Sequence, residues 1–257
     1  MPQVMAQVML PPLSLPHRRR LRELWRSAGW PCRDSIELDL LAAGLLERRF
    51  DAAQRETLHL TDAGIQALAA TLAKNRAARD AHEALVARVA LAMQRAGRVV
   101  WRGLALRAPL VDIESADAGD APDARDPSRL RWVIAMPDVY SIRHTTVEAF
   151  TEPVVHEIKV RRADLLADLK RPDKGAAYRA IASQCWYVLG EGVGSEADVP
   201  PEYGVLIESH GSLELARPAP RRPVTPDFAV WMALARANAE PQAEEAAQAP
   251  LAPLAPG

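Results

Sequence analysis

Apolar positions along the 257 residues follow two periods, and the switches between them outline the elements. From His17 to about Arg79 the pattern predicts a helix at RRRLRELWRSA, broken by Gly29 and Pro31, and a second helix near Ser35 to Leu46. Asp34 or Ser35 can cap that helix, and Ile36, Leu40, Leu41, Leu45 and Leu46 give it an apolar face. LERRFDAAQRETLHLTDAG then reads as strand, turn, strand, with Thr61 capping a third helix that runs toward Lys74. From Asp80 to Ala96 the helical period returns, with His82, Leu85, Val86, Val89, Ala90 and Met93 on one face and Gly97 as its end. Strands follow in VVWRGLAL, in RWVIAMPDVYSI leading into Asp138, and in VEAFTEPVVHEIKV. RRADLLADLK is a charged helix that Pro172 ends or bends, about Lys174 to Ser183 is another helix, CWYVLG is a strand, and YGVLIES with SLELAR is a hairpin. A helix, three strands, a helix, a strand and a strand pair define an α/β (mixed α+β) fold in which helices flank a mixed sheet.

The remaining segments separate domains from tails. Residues 1–15 and those after about Ala239 are rich in Pro, Ala and Gln without apolar period and read as mobile tails. ESADAGDAPDARDPS reads as an exposed acidic loop, and PDFAVWMALARA as a late amphipathic helix bearing Phe228, Val230, Trp231 and Leu234. The expected organisation is therefore a tail at 1–15, a small domain at 16–79, a larger one at 80–218, and a late helix with a tail at 219–257. In the small domain, AAGLLERR followed by LHLTDAGIQAL resembles the end of the winged-helix domains of bacterial regulators, where the wing joins the last helix. That resemblance implies DNA contact, with Arg18, Arg19, Arg20, Arg48 and Arg49 as candidates for phosphates; a domain that packs on a protein or forms a homodimer is the alternative. Twelve Arg plus Lys against eight Asp plus Glu in residues 1–79 make this part basic.

Over the whole chain the charge is nearly balanced, at -1, so global charge points to no nucleic acid or membrane partner. No stretch is long and apolar enough to span a membrane, and the first residues carry their basic cluster after a short apolar run, the reverse of a secretory signal. Cys32 and Cys185 are too few for a structural zinc site or a disulfide framework, which makes the cytoplasm the expected compartment. The basic residues are overwhelmingly arginine. Of four lysines, Lys159, Lys170 and Lys174 lie within sixteen residues, where a compact ammonium with an adjustable pKa is available.

Those lysines stand beside the candidate chemistry. Pro137-Asp138 ends one expected strand, and Glu157-Ile158-Lys159 lies on the next, after eighteen intervening residues. Glu157 and Lys159, two apart on a strand, project to one face, and a neighbouring strand can bring Asp138 alongside. Converging carboxylates attract Mg²⁺ or Mn²⁺, hard cations that bind phosphate oxygens and activate water. Lys159 would orient or deprotonate that water, or neutralise the phosphate. A second tripeptide of this type, Asp168-Leu169-Lys170, falls on an expected helix. His156 points to the opposite sheet face from Glu157.

This arrangement resembles the PD-(D/E)XK nuclease signature. The stretch HEIKVRRADLLADLKRPDKGAAYRAIASQCWYVLGEG, with VPPEYGVLIESHGSLELAR, resembles the MmcB-like family of bacterial DNA repair proteins within that group. Matching positions are Ala163, Asp164, Asp168, Lys170, Pro172, Asp173, Tyr178, Trp186, Tyr187, Pro201, Glu202 and Gly204. The resemblance covers about Asp80 to Arg217. It implies a restriction-endonuclease-like fold, a Mg²⁺-dependent deoxyribonuclease with DNA as partner, and the Ile158 carbonyl as a further metal ligand beside Asp138 and Glu157. Departures fall on the substrate surface: the family usually has an aromatic residue where Arg171 stands and another near Lys174, and it lacks the acidic loop. Five residues keep two readings each. Glu83 is an extra metal-site carboxylate or a solvated helix charge; Asp164, Asp168 and Lys170 line the cleft, with Lys170 on phosphate, or Asp164 and Asp168 are an i,i+4 pair on a helix face; Gln184 contacts substrate or merely starts a strand. A non-catalytic DNA-binding or regulatory protein that keeps the fold is the competing function.

Overall fold

The computed structural model describes residues 13–111 and 130–241. The acidic loop at 114–128, most of the expected N-terminal tail and nearly all of the C-terminal one lie outside the described residues. The chain divides into two units, Met1–Arg79 and Asp80–Gly257.

In the first unit α1 spans Leu15–Arg26, with Pro16 in its opening turn, where a missing N–H costs nothing. Leu15 therefore belongs to a helix rather than to the expected tail. Helix α2 spans Ser35–Ala42 and is capped by Asp34, whose carboxylate accepts from the Glu37 N–H at 2.8 Å. It ends earlier than the apolar run suggests, because Gly44 takes a left-handed conformation and Leu46 already opens β1. Strands β1 (Leu46–Phe50) and β2 (Glu56–Leu60) form an antiparallel hairpin, with Leu46 opposite Leu60. Leu21, Leu24, Leu40, Leu45, Leu46 and Leu58 fill its core. Gly29 is required there: its φ is +80°, and a Cβ would sit 2.3 Å from the Leu58 carbonyl oxygen.

Helix α3 runs unbroken over Asp62–Arg95, so the two expected helices, Thr61 to Lys74 and Asp80 to Ala96, are one. Thr61 accepts from the Gly64 N–H at its start. Ala, Arg, Lys and Leu follow with no Pro, and with no Gly after Gly64 until Gly97, so nothing in the sequence stops it between.

The second unit is built on a six-stranded mixed sheet of β3 (Arg98–Arg102), β6 (Val139–Arg143), β7 (Val154–Lys159), β8 (Gln184–Leu189), β9 (Gly204–Ser209) and β10 (Ser212–Arg217). Its order is β10-β9-β8-β7-β6-β3. Strand β6 pairs antiparallel with β3 and β7, β8 is parallel to β7 and β9, and β10 closes an antiparallel hairpin. Helices α4 (Arg162–Leu169) and α5 (Pro172–Ile181) form the crossover from β7 to β8. Two expected strands are split. VVWRGLAL breaks at Gly103, φ +59°, into β3 and β4 (Leu106–Val111); RWVIAMPDVYSI breaks at Met136-Pro137-Asp138 into β5 (Leu130–Ala135) and β6. Strands β4 and β5 make their own ribbon. Asp138 thus stands immediately before β6 instead of ending the strand before it.

Leu85, Val86 and Val89 of α3 pack on one sheet face with Val100, Val139, Ile158 and Val188. Tyr140, Val155 and Leu189 face the other way, toward Leu165, Tyr178 and Ile181 of α4 and α5, the β4-β5 ribbon, and α6 (Phe228–Arg236). The described part of the second unit is therefore a mixed sheet with helices on both faces, and no helix among the described residues is long and apolar enough to cross a membrane.

Candidate active site

Strand β7 is buried at all six positions, which is what a central strand covered on both faces requires. Alternation sends Ile158 into the core under α3 and turns Glu157 and Lys159 to the α5 side. Antiparallel pairing sets Val139 opposite His156, so Asp138 arrives next to Glu157. The Ile158 N–H donates to Asp138 Oδ2 at 2.7 Å and fixes that carboxylate.

Around Glu157 the partners are dense. Lys159 Nζ donates to Glu157 Oε1 at 2.6 Å, and Lys174 Nζ reaches the same oxygen at 2.6 Å. Lys174 also donates to Asp168 Oδ1 at 2.6 Å, while Lys159 lies 3.5 Å from Asp168 Oδ2. The Tyr178 hydroxyl donates to Glu157 Oε2 at 2.8 Å, with the Met136 carbonyl 3.0 Å away, and the Tyr187 hydroxyl donates to Asp168 Oδ2 at 3.0 Å. Three carboxylates, Asp138, Glu157 and Asp168, thus face two ammonium groups.

The electrostatics follow from that crowding. Burial, and then the negative charge of Glu157, raises the Asp138 pKa; the Ile158 N–H, His82 and Lys159 offset part of the rise. Burial also works against ionised Asp168, but the hydrogen bond from Lys174 and the charges of Lys159 and Lys174 outweigh it and hold its pKa below the usual range. Lys174 is pushed down by burial and more strongly up by Glu157 and Asp168. Burial, and then Glu157, drives the Tyr178 hydroxyl far up, so it stays a donor; Asp168 adds to burial in the same way at Tyr187.

The structure brings together only some of the residues singled out in the sequence. Glu83 is exposed, 3.3 Å from His82 Nδ1, and with His82, Arg102, Asp138 and Glu240 it borders a cleft of about 340 Å³ on the α3 side of Asp138. His82 Nε2 lies 3.4 Å from Asp138 Oδ1. Asp164 is exposed, because the inward phase of α4 is carried by Leu165 and Asp168. Lys170 is exposed at the end of α4, and Lys174 takes the inner position instead. Gln184 sits three residues before the β8 partner of Glu157, and its amide donates to the Ala219 carbonyl. His156 is buried against Trp186 on the opposite face, where burial, and then Arg98, pushes its pKa down to about 3.

In the first unit the arginines proposed for phosphates have local partners. Arg19 pairs with Glu23, Arg48 with Glu56 and Arg49 with Glu47, while Arg18 donates to the Leu13 carbonyl. Arg20 has a structural role: it holds the buried Glu37, whose carboxylate also accepts the Cys32 and Arg33 N–H groups.

No family model and no curated protein matches the chain. A solved structure of SPO1766, a protein of unknown function from Silicibacter pomeroyi, is similar to it at 19% identity, over 59% of this chain and 84% of that chain, with a TM-score of 0.36.

Proposed function

We propose that the chain is a metal-dependent DNA phosphodiesterase of DNA repair, with a restriction-endonuclease-like core after a winged-helix-like unit. The succession α3, β3, β6, β7, α4 with α5, then parallel β8 supports that core. Helices α1 and α2, the β1-β2 hairpin and the start of α3 support a winged-helix reading of the first unit. The observation that carries the activity is the meeting of Asp138 and Glu157 where β6 and β7 adjoin, with Lys159 on the face of Glu157.

The donor set fits a hard divalent cation. Two carboxylates withdrawn from water beside each other are costly to ionise together, as the raised Asp138 pKa records, and an oxygen-seeking cation relieves that cost. Asp138, Glu157 and the Ile158 carbonyl would hold Mg²⁺ or Mn²⁺, which when bound polarises a phosphate and acidifies a water. The chain's own groups do the remaining work. The Ile158 N–H orients Asp138, Tyr178 and Lys174 hold Glu157 in place, and Lys159 directs an N–H at the phosphate or orients the attacking water.

One observation favours a second reading. Glu157 already has three donors on its two oxygens, which suits a DNA-binding protein that keeps the fold without cleavage. A labelled panel of single-stranded, duplex, flap and four-way-junction DNA, incubated with Mg²⁺ or Mn²⁺, separates the two. Cleavage by the wild type that disappears in Asp138→Ala and Lys159→Ala is the expected result. Metal-dependent cleavage that survives Asp138→Ala sinks the nuclease, and salt-sensitive binding without cleavage at any metal concentration supports the second reading.

A further inference from the structure

Outside the carboxylate cluster, the second unit has a cleft of about 640 Å³ between β5 with its following turn and the first turns of α5. Ile134 and Met136 form one wall; Arg171, Asp173, Lys174 and Tyr178 stand on the other, with Asp173 paired to Arg131 at 2.7 Å. Ile134 and Met136 are 62% and 58% exposed, a large apolar area left in water beside the Arg171 guanidinium, while Lys174 is held by Glu157 and Asp168. The cleft is continuous with the proposed active site through two side chains. Lys174 and Tyr178 line it and also hydrogen-bond Glu157, and Met136 lies two residues before Asp138.

The geometry points to this cleft as the seat of an unstacked nucleotide, so that the protein engages single-stranded DNA, or the single-stranded arm of a branched substrate, next to the cleavage site. This rests on the nuclease reading for its placement beside a scissile phosphate. The argument is one of complementarity. A nucleotide combines a flat, weakly polar base with an anionic phosphate, and the cleft combines an apolar wall with the guanidinium of Arg171, which makes no ion pair among the described residues. Its volume falls in the range of pockets that enclose a small ligand. A base stacked inside a duplex hides the faces that Ile134 and Met136 would contact, so the cleft distinguishes an open strand from a paired one.

Fluorescence anisotropy without divalent metal tests this on the full chain, with labelled oligothymidylate and a blunt hairpin duplex. Ile134→Ser combined with Met136→Ser removes the apolar wall at exposed positions without changing charge or core. It is expected to weaken oligothymidylate binding about fivefold to tenfold and leave the duplex unchanged, in keeping with the contribution of one base contact. Arg171→Gln is expected to weaken the same complex and lower its salt slope by about one. Equal loss on both DNAs, no loss on either, or no oligothymidylate binding by the wild type overturns the inference. Cleavage assays on the same proteins keep the two readings apart. Selective loss of single-strand binding in a protein that never cleaves removes the nuclease and keeps the cleft, whereas cleavage with unaltered single-strand binding by the variants removes the cleft alone.

Discussion

Lys174→Met tests whether the cluster is held together by charge. The substitution keeps the aliphatic stem and deletes an ammonium that contacts Glu157 and Asp168 at 2.6 Å each and lies 5.3 Å from the centre of the Tyr178 ring. Three carboxylates would then face Lys159 alone. Removing one partner of a fully buried ion pair costs about 3–5 kcal/mol; since the Lys174 side chain is 26% exposed, a loss of about 2–3 kcal/mol at neutral pH is expected. For a chain of this size that corresponds to a Tm lower by roughly 5–10 °C. The pH dependence has a definite sign. The folded pKa of Lys174 is raised, so its contribution is complete below 10.5 and fades as pH climbs through the folded value. That of Asp168 is lowered, so its contribution is present above 3.8 and fades as pH falls through the folded value. The gap between wild type and variant should therefore be widest between those limits and narrow on acidification. Thermal unfolding followed by circular dichroism, at neutral pH and near the acid limit, reads both. Added Mg²⁺ is expected to restore more stability to the variant than it adds to the wild type, since a cation bound only by the folded state stabilises it. A variant within about 0.5 kcal/mol of wild type at neutral pH would refute the counter-ion role.

Two further outcomes separate function from stability. Because the folded pKa of Asp138 is raised above 3.8, ionising it weakens the fold as pH rises through the interval between 3.8 and the folded value. Asp138→Asn, which retains an acceptor for the Ile158 N–H, is therefore expected to abolish cleavage while matching or exceeding wild-type stability at neutral pH; a lower denaturant midpoint would contradict the sign. In the first unit Arg20→Ala strands the buried Glu37 carboxylate and should cost about 2 kcal/mol, measured by denaturant unfolding of the full chain, whereas Arg19→Ala, which opens an exposed pair with Glu23, should leave stability unchanged.

What the sequence made legible was governed by how local each determinant is. The apolar run of β7 marks a strand buried on both faces, and the two-residue spacing of Glu157 and Lys159 is enough to place them on one face. The split at Met136-Pro137-Asp138 was legible only as the break that Pro137 makes in an apolar run; only pairing shows that β5 leaves the main sheet for a ribbon with β4. Nor was the union of two expected helices into α3, because a boundary between units leaves no mark on a helix whose residues all favour helix. The lysine cluster shows the same limit. Lys159, Lys170 and Lys174 stand out together in sequence, yet which of the two helical lysines turns inward depends on Pro172, which ends one helix and starts another in a new direction. A signal for the correct choice was present: Lys174 and Tyr178 are four apart in α5 and share a face, and Leu165 and Asp168 are three apart in α4. Reading those pairs against the buried phase, instead of taking Asp164 and Lys170 together with Asp168 from a motif, assembles the inner cluster. Tyr178 and Tyr187 stand among the positions that match the family but carry no role there, because a tyrosine hydroxyl acquires one only when a carboxylate is buried within reach. A motif of three residues thus locates the site, while its protonation and charge balance come from Asp168, Lys174, Tyr178 and Tyr187, whose contribution depends on the packing of α4, α5 and β8 around β7.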